Sequence, residues 1–178
     1  MMELQKCLEG RRSIRKYQDK PISREELNEL FKAALLAPSW KNSEVSKYYV
    51  ADSKDAKEEF KKCLPQFNIN NTENCSAYIV STVVDGKSGY TVEGEYATHL
   101  KEGFECFDNG LQVQNLCLKA YDMGFGTLIM GLYDEAMVRK FFNIPDGEII
   151  VAVLSVGYPD IEPQMPKRKE LDEVVTYI

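Results

Sequence analysis

Cys75-Ser-Ala-Tyr-Ile-Val-Ser-Thr-Val-Val84 is the stretch on which the fold class turns. It is rich in β-branched residues and reads as a central strand. On its C-terminal side, Asp85 to Lys101 is polar and carries Gly86, Gly89 and Gly94, which predicts a mobile excursion. Gly103 to Met123 then predicts the longest helix. Phe104, Phe107, Leu111, Gln114, Leu118 and Tyr121 recur three or four apart, giving one largely apolar face. Gly124 is placed to cap it. Phe125 to Met130 reads as a strand, Asp134 opens a helix through Phe142, and Glu148 to Gly157 is a further apolar strand.

On the N-terminal side, Lys47 to Asp52 reads as a strand, and Ser53 opens a helix through about Leu64 that Pro65 stops. Ser23 and Glu26 make a capping box for a helix whose buried stripe is Leu27, Leu30, Phe31, Ala34 and Leu35. Met2 to Glu9 reads as a short amphipathic helix. Strands and helices are mixed without a regular rhythm. That predicts an α+β fold, with helices on both faces of a mixed sheet. The tail changes character. Pro159, Pro163 and Pro166 forbid regular structure, and Val174 to Ile178 reads as an isolated final strand. An arm of this kind, about 159–178, predicts exchange onto a partner's sheet edge.

At 178 residues the chain predicts one domain, 1–178, with 44% hydrophobic and 28% charged residues. No apolar run is long enough for a membrane span, and the N-terminus lacks the apolar stretch of a signal peptide, so a cytoplasmic protein is expected. Five cysteines, Cys7, Cys63, Cys75, Cys106 and Cys117, are odd in number and widely spaced, which argues against a disulfide framework and a zinc site. His99 is the only histidine and no nucleophile motif surrounds it. Chemistry in such a chain is expected to come from a bound cofactor, with no metal.

Charge is unevenly placed. The net charge is −6, yet residues 1–24 carry seven basic and three acidic side chains. Arg11-Arg12-Ser13-Ile14-Arg15-Lys16 puts three guanidiniums and a hydroxyl within five residues, which is an anion grip. A basic run after a helix also reads as a solvated face. The acidic remainder argues against nucleic acid as partner, because no extended basic stripe with aromatics is present.

Four segments in one order resemble the FMN-dependent nitroreductase family: Arg11 to Lys16, Ala37-Pro38-Ser39-Trp40-Lys41-Asn42, Gly124 to Gly131, and Pro166 to Val175. The resemblance spans Leu4 to Val175. It implies that Arg11 and Ser13, with Arg12 between them, hold the phosphate and ribityl side of FMN, and that Arg15 reaches the pyrimidine end. A cation there favours the anionic reduced flavin. Pro38, Ser39 and Asn42 match a turn that the family contributes from the second subunit. Trp40 then reads either as an aromatic wall at the interface or as a core filler. After Ser43 the chain departs from the family, with Glu44-Val45-Ser46 where Gln-Pro-Trp is usual. Ile129, Met130 and Gly131 match the strand end whose backbone amides meet the flavin N5. Arg168 matches a residue returning to the phosphate, and Asp108 with Gln114-Asn115-Leu116 matches the family's central dimer helix. The resemblance thus implies a homodimeric oxidoreductase with FMN as cofactor and NAD(P)H as co-substrate. Its acceptors are small molecules, nitroaromatics or quinones. Residues 85–101, the longest irregular, Gly-rich stretch near the middle, are the natural place for acceptor selectivity. Other flavin chemistry on the same scaffold, or a non-redox anion-binding module, are the rival readings.

Overall fold

The computed structural model describes residues 3–178. Four strands make one sheet: β1 (Ser46–Ala51), β2 (Ala77–Val84), β3 (Gly126–Met130) and β4 (Glu148–Gly157). Their order is β1-β2-β4-β3, and every pair is antiparallel. The parallel element of the expected mixed sheet is a single bridge, Ser13 to Thr127. Six helices accompany the sheet: α1 (Leu4–Gly10), α2 (Arg24–Leu35), α3 (Lys54–Phe60), α4 (Gln66–Asn71), α5 (Gly103–Asp122) and α6 (Glu135–Phe142). The expected start of the first helix at Met2 lies outside the described residues.

β2 is central because both of its faces are covered. Tyr78 and Val80 pack with Phe60, Cys63, Leu64, Val138 and Ile144 on one side. Ala77 and Ile79 pack with Leu27, Leu30, Leu116 and Ala120 on the other. The period of two along a strand sends alternate residues into two cores, so a run buried on both faces is apolar throughout. The caps fall where the sequence puts them. Ser23 Oγ accepts from Glu26 N at 3.2 Å while Glu26 Oε2 accepts from Ser23 N at 2.8 Å. Asp134 Oδ1 accepts from Met137 N at 2.9 Å. Gly124 follows α5 with φ +82°, where a side chain would be strained.

Three expectations are corrected. The third helix stops at Phe60 and continues only as a 3-10 turn, Lys61–Cys63. Pro65 then begins α4 rather than ending a helix, its carbonyl accepting from Ile69 N at 3.1 Å. Proline lacks an amide hydrogen, which costs nothing at a helix start. The excursion at 85–101 folds back on itself. Tyr90 bridges Tyr96, Ala97 N donates to Gly89 O at 2.8 Å, and the two tyrosine rings lie 4.9 Å apart. The tail is extended and exposed, with one 3-10 turn at Leu171–Glu173 and no strand at 174–178. A strand needs an edge to pair with, and the single chain offers this segment none.

The face that α5 buries is not the apolar one that its periodicity shows. Its buried face is the polar one, with Glu105, Asp108, Asn109 and Gln112 leading into Val113, Leu116, Cys117 and Ala120. Most of these polar atoms find a partner on the sheet or its loops, and Glu105 Oε2 is buried without one. Gln112 Oε1 accepts from Tyr48 Oη at 3.0 Å, and Asn109 Nδ2 donates to Ser46 Oγ at 3.0 Å and Ser81 Oγ at 2.7 Å. The predicted apolar stripe points elsewhere, and Phe107 is 54% exposed in the single chain. Periodicity finds a face but not its occupant.

Glu148 gives the fold a pH signature. The buried carboxylate accepts from Lys47 Nζ at 2.9 Å, Tyr49 Oη at 2.9 Å and Thr82 Oγ1 at 2.6 Å. Burial works to raise its pKa, but the bonds from Thr82, Lys47 and Tyr49 outweigh it and hold the carboxyl below its ordinary value of 4.5. A depressed carboxyl stabilises the fold above the unfolded-chain value, and that contribution is lost as pH falls through the folded value. The midpoint of thermal unfolding is therefore expected to drop steeply below about pH 4.5 in the native protein, and less steeply in Glu148→Gln. Equal acid slopes in the two proteins would show that Glu148 does not carry the effect.

Candidate active site

The basic segment is docked on the outer edge of β3. Ile14 N donates to Thr127 O at 2.9 Å, Gln18 N donates to Tyr158 O at 2.9 Å, and Asp160 N donates to Lys16 O at 3.0 Å. Ile14 and Tyr17 turn inward and are buried. Tyr17 Oη donates to Ile14 O at 3.0 Å and meets Ser155 Oγ at 2.9 Å. With those two side chains inward, Arg11, Arg12 and Ser13 are left half-buried and Arg15 exposed.

Two glycines make the docking possible. A Cβ on Gly126 would run into Ile14 Cγ1, and one on Gly157 would lie 2.7 Å from Tyr17 Cδ1. Gly126→Ala is expected to push Ile14 off β3, costing about 1–3 kcal/mol as overpacking does. The same shift moves Arg11 and Ser13, so anion affinity should fall with stability. Chemical denaturation and titration with inorganic phosphate on the one variant check both effects.

The tail then returns to the arginines. Arg11, Arg12, Ser13, Arg15, Pro163, Gln164, Pro166 and Arg168 line a cavity of about 260 Å³. A neighbouring cavity of about 470 Å³ shares Arg11, Arg12, Pro163 and Gln164, and reaches Tyr121, Phe125 and Thr127. Arg12 Nη1 bonds the carbonyls of Glu9 and Arg11, the latter at 2.9 Å, and its Nε is buried without a partner. Among the described residues, none of Arg11, Arg12, Arg15 or Arg168 is ion-paired with a carboxylate. Four guanidiniums and a hydroxyl converge here on one cleft without a counter-charge from the chain. Such a donor set suits a phosphate monoester.

β3 continues past this cluster. Its pairing with β4 alternates, so the edge that presents the Thr127 carbonyl also presents the backbone of Ile129. Ile129 is 49% exposed, Met130 is buried and Gly131 is exposed. A backbone amide on that edge is free to meet a ligand lying beyond the arginines.

Pro38, Ser39 and Asn42 lie elsewhere. Their turn is fixed at the N-terminal end of α5, where Trp40 N donates to Asp108 Oδ2 at 2.8 Å and the Trp40 ring meets Phe104 edge-on at 4.9 Å. Ser39 Oγ accepts from Glu44 N at 3.1 Å. Lys41, Asn42 and Glu44 have φ of 47°, 55° and 47°, three left-handed non-glycine residues within four positions. Strain so concentrated is characteristic of functional turns. The arginine cluster sits at the other end of the helix, where Gly10 abuts Tyr121. From Asp108 to Tyr121 the helix rises about 20 Å. One chain therefore does not bring its own turn to its own arginines.

The sequence model of the nitroreductase family matches residues 8–84 and 91–158. The chain belongs to the nitroreductase family. The match ends before the arm, so Arg168 lies outside it. An Archaeoglobus fulgidus relative, provisionally named an NADH dehydrogenase/NAD(P)H nitroreductase, is 31% identical over 167 residues, covering 91% of this chain and 88% of that one. The NADPH-flavin oxidoreductase of Vibrio harveyi is 28% identical over 171 residues, covering 92% of this chain and 69% of its own. Among solved structures, a provisionally named nitroreductase from Exiguobacterium sibiricum, crystallised in complex with FMN, superposes with a TM-score of 0.84. It is 24% identical and covers 100% of this chain and 98% of its own. That likeness shows the nitroreductase fold.

Sequence reasoning missed what holds the site together. Ile14, Tyr17, Gly126 and Gly157 form the dock, and Gln164 completes the smaller cavity. The signal for the first two was present. Apolar Ile14 and Tyr17 interrupt an otherwise polar, basic run, as inward-facing residues do.

Proposed function

We propose that this nitroreductase-family chain is an NAD(P)H oxidoreductase that binds one FMN per chain, without a covalent bond, in a homodimer. The single observation that carries the reading is the convergence of Arg11, Arg12, Ser13, Arg15 and Arg168, from both ends of the chain, on one cleft with no carboxylate partner. FMN ends in a phosphate and needs no adenosine pocket. The flavin-linked name of the Vibrio harveyi relative and the FMN in the Exiguobacterium sibiricum structure support the choice.

In this reading Arg11, Ser13 and Arg168, with Arg12 beside them, hold the phosphate and ribityl chain, and Arg15 faces the pyrimidine end. Backbone groups of Ile129, Met130 and Gly131 lie toward N5. Pro38, Ser39 and Asn42 come from the other chain, because about 20 Å of α5 separates them from their own arginines. Two copies of α5 packed antiparallel bring each turn to the other chain's cations. The exposed Phe107 gives that packing apolar surface. One domain carries the whole site, with residues 159–178 as an arm that completes it.

Bound there, FMN would supply the two-electron chemistry that links NAD(P)H to a nitroaromatic or quinone acceptor. The chain's part is positioning and electrostatics. Arg15 stabilises negative charge at the pyrimidine end, the arginine cluster fixes the phosphate, and the docked segment holds both at fixed spacing. The excursion at 85–101, with its paired Tyr90 and Tyr96, sets which acceptor enters. Among the described residues no helix is long and apolar enough to cross a membrane.

A spectrum of the purified protein, titrated anaerobically with NADH and NADPH, tests this reading. A yellow protein bleached by either nicotinamide is expected, and an acceptor screen then ranks nitroaromatics against quinones. A colourless protein that takes up no FMN on reconstitution contradicts the reading.

A further inference from the structure

Asp108 is 1% exposed, on the buried face of α5, and it fastens two segments that lie far apart in sequence. Its Oδ2 accepts from the backbone N of Trp40, at the start of the strained turn, and from Ser88 Oγ, at the base of the excursion. One helical turn earlier, Glu105 Oε1 accepts from Lys87 N at 3.0 Å, and a Cβ on Gly89 would lie 2.8 Å from Phe104 Cβ. The turn and the excursion are therefore joined through one carboxylate. Among the described residues no other hydrogen bond ties the backbone of residues 38–42 to α5, and three left-handed residues follow the tie directly.

We propose that Asp108 is a positioning residue that acts across the dimer: it holds the Pro38–Asn42 turn in place for the flavin bound by the other chain's arginines. This rests on the flavin-dimer reading above, and goes beyond it by assigning both the residue and the direction in which it acts. The geometry fixes the direction. Asp108 lies about 20 Å along α5 from Tyr121 and its neighbouring Arg11, too far to serve its own chain's cluster. Without the carboxylate, the Trp40 amide and the Ser88 hydroxyl lose their acceptor, and the strained turn keeps only the Trp40–Phe104 ring contact and its own internal bonds against relaxation.

The test reads FMN dissociation rather than turnover. Asp108→Ala as a homodimer is expected to release FMN about tenfold faster than wild type, a loss of one positioning contact. Asp108→Asn, which keeps an oxygen for the Trp40 amide, is expected to restore the rate to within about threefold. The deciding sample is a mixed dimer, differently tagged on its two chains. One chain carries Asp108→Ala with intact arginines, and the other carries Arg11→Ala and Ser13→Ala with Asp108 intact. Its one tight site joins the first chain's arginines to the second chain's turn, so one FMN per dimer should dissociate at the wild-type rate. Release at the rate of the Asp108→Ala homodimer would mean that Asp108 serves only its own chain, and would overturn the proposal. So would a homodimeric Asp108→Ala protein with wild-type release. If Asp108→Ala does not purify folded, Asp108→Ser keeps a polar group on the helix but falls short of Trp40, and the same mixing applies. Failure of the parent reading looks different: the wild-type protein itself holds no FMN or stays monomeric.

Discussion

Arg11→Ala combined with Arg168→Ala is expected to strip FMN from the protein at micromolar concentration. Each guanidinium contributes a charge-assisted hydrogen bond to phosphate, worth about 1.5–3 kcal/mol. Either substitution alone should thus weaken binding about ten- to a hundredfold. The pair should lose at least about a hundredfold, even allowing for the coupling expected of neighbours in one cluster. The fold should survive, because neither residue is buried and neither is ion-paired with another group among the described residues. Equilibrium titration of apoprotein with FMN, with far-UV circular dichroism as the control, gives both numbers. Wild-type affinity in the double variant would remove the arginines from the site.

Truncation after Asp160 should have an effect of similar size by a different route. Residues 161–178 are exposed apart from half-buried Pro163, so their removal exposes little core. The far-UV circular dichroism of the shortened chain should stay close to native. What leaves is the wall made by Pro163, Gln164, Pro166 and Arg168, and with it one of the converging guanidiniums. The apolar end, Val174-Val175-Thr176-Tyr177-Ile178, leaves as well. In the single chain it forms no strand, and Tyr177 is 86% exposed. On a partner's edge it would add main-chain hydrogen bonds and bury that surface. The shortened protein is therefore expected to lose FMN and to dissociate toward monomer together, which light scattering and absorbance follow in one sample. A truncated chain that remains a flavin-loaded dimer would show that the arm has neither role.

Much of this architecture is legible in the sequence, and the places where it is not share a cause. β2 was readable because a strand buried on both faces must be apolar throughout, and the helix caps because Ser23, Ser53 and Asp134 bond amides within three residues of themselves. These are local constraints. The inward face of α5 is not legible in the sequence because it is set by partners distant in the chain. Tyr48, Ser46, Ser81 and Trp40 turn Gln112, Asn109 and Asp108 into satisfied buried groups, and no periodicity records that. The site divides in the same way. Arg11, Ser13 and Arg15 announce themselves by charge within one short run. Arg168 was placed by family resemblance, and the structure does bring it to them. Pro38, Ser39 and Asn42 do not meet that cluster within one chain, so the part proposed for them requires a second copy. The three left-handed residues behind them are invisible to composition, since only Asn42 of Lys41, Asn42 and Glu44 is a usual occupant of that region.

The central claim is that the arginine cleft recognises the phosphate of a flavin. Titrating apoprotein with FMN and, separately, with riboflavin, the same molecule without the phosphate, tests it most directly. The account predicts that wild-type protein binds FMN at least about a hundredfold more tightly than riboflavin, and that Arg168→Ala narrows this gap by weakening FMN alone. Equal affinity for the two flavins in the wild-type protein would contradict it.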